Sequence, residues 1–289
     1  MRERYKEILS QIGEHVRKEH SVNDHVLIID GLNNFIRTWA ASPATNSDGQ
    51  HIGGIVGFLQ TIALAIRTLS PTRTIIVFDG KGGSVRRKKL YPDYKAGRKP
   101  LKRPNRIEGL SDQNESENMR RQFRRLLEYL KCLPVTFMSI ENIEADDSIA
   151  YIGKQILKDS QITIMSTDKD FLQLIDENIR VYSPTKKKMY DEEKIVEEYG
   201  ISSQNFLLYR MLDGDVSDSI PGVKGVGLKS LLKYFPFLEN SHKYTIQDVI
   251  KSAKAKKDIY KLCEEITKSG DQMVLNEKLM DLDNVNISG

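Results

Sequence analysis

Cysteine is nearly missing from this 289-residue chain: Cys132 and Cys263 are the two present, each among apolar neighbours and neither in a C-x-x-C pair. That excludes a disulfide-stapled scaffold and a thiolate metal cluster, and two buried, reduced thiols are expected. Long apolar runs are missing as well. None approaches the ~20 residues that a membrane span needs, and the first 24 residues are charged, unlike a secretory signal. A soluble, cytoplasmic protein with no membrane partner is expected. There is no internal repeat and no long low-complexity tract. A chain of this length can bury one large core, with or without an appended module.

Net charge is small, +4, but it is unevenly spread. From Lys81 to Arg106 stand eleven basic residues, Arg86 and Arg87 among them, against the single acid Asp93. The rest of the chain is therefore net acidic. A basic strip on an acidic body is expected to draw a polyanion, and Tyr91 and Tyr94 offer rings for stacking on bases. A solvated loop whose charges serve only solubility is the competing reading. Pro92, Pro100 and Pro104 prevent the strip from forming one uninterrupted helix.

The apolar runs V-L-I-I-D (26–30), T-I-I-V-F-D (74–79) and I-T-I-M-S-T-D (162–168) read as strands closed by acids, with further extended pieces at 134–140 and 179–183. Helical patterns fall at about 55–69, at about 118–131 and from Ile143 onward. This rhythm predicts an α/β fold with a mostly parallel central sheet flanked by helices. An amphipathic helix is predicted over 5–20, with Tyr5, Ile8, Leu9, Ile12 and Val16 near one face. After residue 190 the pattern is helical. The expected organisation is an N-terminal extension (1–24), a core (25–190) and a helical module (191–289).

A parallel sheet brings Asp30, Asp79 and Asp168 to one edge, where open α/β sheets hold their chemistry. Six more acids stand in comparable places: Glu144, Asp146 and Asp147 in E-A-D-D at a helix start, Asp170 in T-D-K-D, and Asp215 and Asp218 in G-D-V-S-D. Acids at a helix start are commonly caps. Nine of them gathered by a fold would instead repel one another and raise one another's pKa unless cations intervene. Oxygen-only ligands suit magnesium or manganese over zinc. The turn P-G-V-K-G-V-G at 221–227 can expose backbone N–H groups to a phosphate, with Lys224 and Lys229 adding charge. It lacks the G-x-x-x-x-G-K-[ST] spacing of a mononucleotide loop.

In order along the chain, D-G (30–31), F-D-G (78–80), Y-K-A-G-R (94–98), E-A-D-D, T-D-K-D and G-D-V-S-D-S-I-P-G-V-K-G-V-G resemble the 5′-nuclease (flap endonuclease) superfamily. Bacteriophage 5′→3′ exonucleases and the 5′-nuclease domain of bacterial DNA polymerase I are the nearest in pattern, over about residues 25–235. The resemblance implies a PIN-like core, a helical arch or clamp at about 81–118, and a helix-three-turn-helix module gripping duplex DNA through 221–227. It implies a metal-dependent 5′→3′ exonuclease and flap endonuclease of replication or repair. Its substrates would be branched, nicked or 5′-flapped DNA, with RNA–DNA hybrid as a further one. A monomer is expected, open to replication proteins, in the host cytoplasm if phage-encoded.

Carried over by position, the resemblance implies that Asp30, Asp79, Glu144 and Asp146 hold a first Mg2+. Asp147, Asp168, Asp170 and Asp218 hold a second, with Asp215 close by and Mn2+ as a substitute. Lys95 and Arg98 form the catalytic basic pair at the scissile phosphate. Arg37, Arg86, Arg87 and Tyr94 are expected DNA contacts, and Gly222, Gly225 and Gly227 the duplex grip, with K+ on nearby carbonyls. The chain departs from the bacterial pattern in its N-terminal extension and in Glu141, where a glycine often precedes E-A-D-D. It carries no polymerase domain, which implies a free-standing nuclease. Two rivals stand beside this reading: a phosphoaspartate-type phosphoryl-transfer enzyme, although Asp30-Gly31-Leu32 lacks the D-x-D pair, and a non-catalytic DNA-binding module.

Overall fold

The computed structural model describes residues 21–98, 112–256, 259–283, 285 and 287. The helix expected over 5–20 and the middle of the basic strip lie outside these residues. The apolar runs become strands because aliphatic and β-branched side chains are buried on both faces of a sheet. In chain order the elements begin with β1 (His25–Asp30), α1 (Gly31–Ala41), α2 (Gly53–Leu69), β2 (Arg73–Phe78), α3 (Val85–Leu90) and α4 (Asp112–Leu130). Next come β3 (Thr136–Ser139), α5 (Ala145–Tyr151, extended by a π-turn to Ile156), β4 (Gln161–Met165), a 3-10 helix (Lys169–Leu174), β5 (Ile179–Ser183) and β6 (Lys188–Tyr190). Helices follow: α6 (Glu192–Tyr199), α7 (Ser203–Asp213), α8 (Leu228–Tyr234) with a 3-10 turn after it (Pro236–Glu239), α9 (Ile246–Lys254), α10 (Lys261–Lys268) and α11 (Gly270–Met280).

The sheet order is β3-β2-β1-β4-β5-β6. All pairings are parallel except β5 with β6. Strand order reverses between β1 and β4, and the crevice at such a switch point is where open sheets bind ligands. Asp30 pairs with Val77 and Ile29 with Met165, so Asp30, Asp79 and the 166–168 segment leave the sheet at one edge.

Alternation along β1 sends Leu27 and Ile29 to one face and Val26 and Ile28 to the other. On the first face they meet Phe35 of α1, Phe58 of α2 and Leu126 of α4. On the second they join one continuous cluster that runs through Ile149 and Phe171 to Leu231, Val249, Ile266 and Met273 of the C-terminal helices. The helices after residue 190 thus share their core with the sheet.

Helix α2 starts at Ile52 without a side-chain cap of its own. Gln122 of α4 supplies one: its Oε1 accepts from Gly54 N (2.8 Å) and Ile55 N (3.3 Å), and its Nε2 donates to the His51 carbonyl (2.8 Å). Of the thiols expected inside, Cys263 is buried but Cys132 is exposed, because it follows the end of α4 rather than lying on its packed face. Among the described residues no helix is long and apolar enough to cross a membrane.

Candidate active site

Four acids at the switch-point edge each use one oxygen as a local cap. Asp30 Oδ1 accepts from Asn33 N at the start of α1 (3.2 Å), and its Oδ2 accepts from Ser166 Oγ (3.0 Å). Asp79 Oδ1 reaches across to cap α5 through Ala145 N (2.9 Å), Asp168 Oδ1 caps the 3-10 helix through Asp170 N (2.9 Å), and Asp215 Oδ1 takes Ser217 N (2.7 Å). Capping and site chemistry are therefore the same geometry: the cap fixes the carboxylate at the mouth of the crevice. Asp146 accepts no hydrogen bond from any described residue.

Electrostatics bind these residues into one group. Burial pushes Asp30 up to about 7, with Asp79 and Asp168 adding repulsion against the hydrogen bonds from Asn33 and Ser166. Burial raises Asp146 well above the usual carboxylate range, helped by Asp168 and Asp30. Burial likewise raises Asp168, and Asp170 is pushed up to about 7 by burial and then by Asp168. Asp30, Asp146 and Asp168 thus lack a cation bonded to them among the described residues, whereas Asp170 is raised although Arg210 is bonded to it.

Glu144, Asp147, Asp215 and Asp218 are paired with cations, whereas Asp79 has its cap to Ala145 N. Arg87 donates to Glu144 (2.5 Å) and, through both terminal nitrogens, to Asp147 (2.7 and 2.8 Å), while Arg86 adds a bond to Asp147 (3.2 Å). Lys95 Nζ donates to Glu144, as does the Tyr94 hydroxyl (3.1 Å). Burial would raise Glu144, but Lys95 and Arg87 outweigh it and hold the group below its usual range. Arg98 pairs with Asp218 (2.5 Å). Arg210, buried in α7, joins Asp170 (2.6 Å) to Asp215 (2.6 Å). Against its burial, Asp215 is held low by Ser217 and Arg210.

One turn of α5 thus splits its acids: Glu144 and Asp147 turn to Arg87, while Asp146 faces Asp30 and Asp168. Among the described residues no three acidic, histidine or cysteine side chains close to the spacing of a ready-made cation cage. Arginine and lysine side chains occupy many of the oxygens instead. The donor set still fits hard divalent cations, being all oxygen, crowded and short of positive charge around Asp30, Asp146 and Asp168.

Several expected DNA contacts lie elsewhere than a surface role requires. Arg87 is 3% exposed, with Nε bound to the Leu279 carbonyl (2.7 Å), and the Tyr94 ring is likewise buried, against Ile220, Leu279 and Met280. Their polar atoms find partners inside, so neither side chain is presented to a ligand here. Arg86 and Arg98 remain partly exposed. Arg37 lies near Asp30, and its Nη1 is a buried donor without a partner among the described residues.

The base of the basic strip docks on the 215–220 loop: Lys95 N donates to the Asp218 carbonyl (2.8 Å) and Gly97 N to Ser219 Oγ (2.9 Å). Lys95 (φ 61°) and Ser219 (φ 60°) both hold left-handed backbone at this contact, a strain seen at functional sites. In the glycine turn, Gly222 has no room for a side chain, since a Cβ would lie 2.1 Å from the Asp213 carbonyl. Gly225 takes φ 80°, whereas Gly227 faces open space beside Lys224 and Lys229 and starts α8. Sequence reasoning missed Arg210; its signal was a lone cation inside the apolar run F-L-L-Y-R-M-L.

Against known proteins, a family model described as the 5′-3′ exonuclease N-terminal resolvase-like domain matches residues 25–200. The 5′-3′ exonuclease of Aquifex aeolicus is 30% identical over 246 residues, covering 83% of this chain and 80% of that relative. DNA polymerase I of Caldicellulosiruptor bescii is 32% identical over 273 residues, 89% of this chain but 30% of the polymerase. Among solved structures, the bacteriophage T5 D15 protein crystallised with metal ions superposes with a TM-score of 0.68 at 22% identity, over 90% of each chain. The same sheet and flanking helices thus recur at a distance where sequence alone is thin. With its core model matched and its acids gathered at the switch point, the chain belongs to the 5′-3′ exonuclease family and is a 5′ nuclease.

Proposed function

We propose that the protein is a structure-specific nuclease that cuts near the 5′ ends of nicked, branched or 5′-flapped DNA, using divalent metal ions, Mg2+ by preference and two per site. The carrying observation is the set Asp30, Asp146 and Asp168, drawn from three elements: burial and then neighbouring carboxylates raise each, Asp168 acting on Asp30 and Asp146, and Asp215 and Asp218 on Asp168. The T5 D15 flap endonuclease has been crystallised as a pseudo-enzyme-product complex with DNA and metal ions, which supports the same substrate here.

Asp30, Asp79, Glu144 and Asp146 would hold one cation, and Asp168, Asp170 and Asp218 the other, with Asp147 and Asp215 behind them. Bound divalent cations supply a lowered pKa for the attacking water and charge stabilisation on the leaving 3′ oxygen. Lys95 and Arg98, now on Glu144 and Asp218, exchange those carboxylates for the scissile phosphate and offset the charge that grows there. Arg37 Nη1 offers a further donor beside Asp30. Gly222, Gly225 and Gly227, with Lys224 and Lys229, would anchor the duplex, with K+ on the turn carbonyls, and RNA-primed ends are admitted as substrates. The working unit is a monomer.

The test is a time course on flapped, nicked, blunt and RNA-primed substrates with and without Mg2+. Asp146→Asn or Asp168→Asn should lower cleavage about a thousandfold while DNA affinity holds. Cleavage near the wild-type rate would reject the site. Lys95→Ala should depress kcat far more than it raises KM; equal, small changes in both would reduce Lys95 to a general phosphate contact.

A further inference from the structure

Helix α4 carries a second concentration of positive charge that the site does not use. Arg120, Arg121, Arg124 and Arg125 occupy four of six consecutive positions and are all exposed, while Gln122, Leu126 and Leu130 of the same helix are buried. At helical spacing Arg121 and Arg125 form one column and Arg120 and Arg124 the next. Tyr129, 45% exposed, extends the first column by a further turn. Among the described residues Arg120, Arg121 and Arg124 pair with no acid. Arg125 meets Glu128 in an exposed pair that solvent screens. Like charges at this spacing work against the helix itself. Free guanidiniums in rows, ending on an open ring, fit a phosphodiester chain whose bases can stack.

Position gives the ridge its partner. Helix α2 ends at Leu69, just before β2 begins at the N-terminal edge of the sheet. Its 17 residues reach about 25 Å, longer than the roughly 20 Å of a six-residue strand, so its first turn stands level with the acid edge. Gln122 is bonded to that first turn, and the arginines flank Gln122 on both sides. The ridge therefore begins at the level of the site and runs away from it along the outer surface.

We propose that this arginine ridge binds the single-stranded 5′ arm of the substrate beyond the scissile phosphate, an inference that rests on the flap-cutting reading above. Holding the arm there favours long flaps over short ones through KM, without touching the chemical step.

The test compares the wild type with R121Q/R125Q, with the quadruple glutamine variant and with the quadruple lysine variant. KM and kcat are measured over a range of salt on a flap with a long arm and on one with a single-nucleotide arm. For the quadruple glutamine variant the long-arm KM should rise roughly tenfold, and the slope of log KM against log salt should fall by about 3. Its kinetics on the single-nucleotide arm should stay at wild-type values, and the lysine variant should keep most of the long-arm preference. Unchanged arm-length dependence, or an equal loss on both substrates, overturns the proposal. Fluorescence anisotropy of the long-arm oligonucleotide in EDTA separates the two readings: a protein that cuts nothing but loses affinity in the glutamine variants keeps the ridge and sinks the nuclease assignment.

Discussion

Arg87 has three acceptors in the protein interior, the Glu144 and Asp147 carboxylates and the Leu279 carbonyl; replacing it with alanine leaves Glu144 only Lys95 and Tyr94, Asp147 only the partly exposed Arg86, and takes the Arg87 bond from the Leu279 carbonyl. Breaking a buried pair in this way costs about 3–5 kcal/mol. Urea denaturation of Arg87→Ala should show a midpoint lowered accordingly, with Arg87→Lys between it and the wild type. The inward turn of this residue was not legible in the sequence. Charge density in the strip could be counted from composition, but the carbonyl that draws Arg87 inside lies 192 positions away. Seven of the acids were legible because each closes a strand or opens a helix, and Asp215 and Asp218 because they precede the glycine turn, whereas their division among arginine partners depends on side-chain directions that no spacing rule fixes.

Asp30 and Asp170, each at about 7, hold protons in the fold that an unfolded chain releases around pH 4. Between those values the native state binds more protons than the unfolded one. The stabilisation is complete below about pH 4 and is lost as pH rises through about 7. In EDTA the melting temperature should therefore fall between roughly pH 4 and 7, and excess Mg2+ should flatten the profile. A flat profile in EDTA would mean that these two groups titrate at ordinary values.

At the level of elements, strands β1, β2, β4 and β5 were readable as apolar runs, while β6 was not, since Lys188–Tyr190 is too short and polar to carry a period. The glycine turn was readable as a turn, but the separate reasons for its glycines were not. Gly225→Ala must hold φ 80° with a side chain and should cost about 1 kcal/mol in thermal or chemical denaturation. Gly227→Ala meets nothing within 4 Å and should leave stability unchanged. A fall in duplex affinity for Gly227→Ala, with stability intact, would show that the backbone there must be approached closely by DNA; unchanged affinity would leave that glycine without a binding role.

Across the whole molecule, the end of α11 ties remote parts of the fold together. Asn276 donates to the Met211 and Pro221 carbonyls, the Leu279 carbonyl receives Arg87, and Gln173 bonds both the Met280 carbonyl and Leu282 N. Truncation before Leu279 should destabilise the whole protein and, in whatever fraction stays folded, slow cleavage more than it weakens binding to duplex DNA. Kinetics of the truncated chain beside its melting curve check both parts. The sequence marked 191–289 as a separate helical module because its pattern changes from alternating to purely helical after residue 190. Pattern reports local period, and the shared core is a matter of which apolar faces meet.

That late tether also bears on when the protein becomes competent during its own synthesis. A nascent chain that has left the ribosome only as far as the glycine turn already has every acid of the crevice, yet lacks the carbonyl that steadies Arg87 and the strap that secures Gln173. Residues 279–282 must therefore emerge and dock before Arg87 and Gln173 hold all the partners they have in the finished fold.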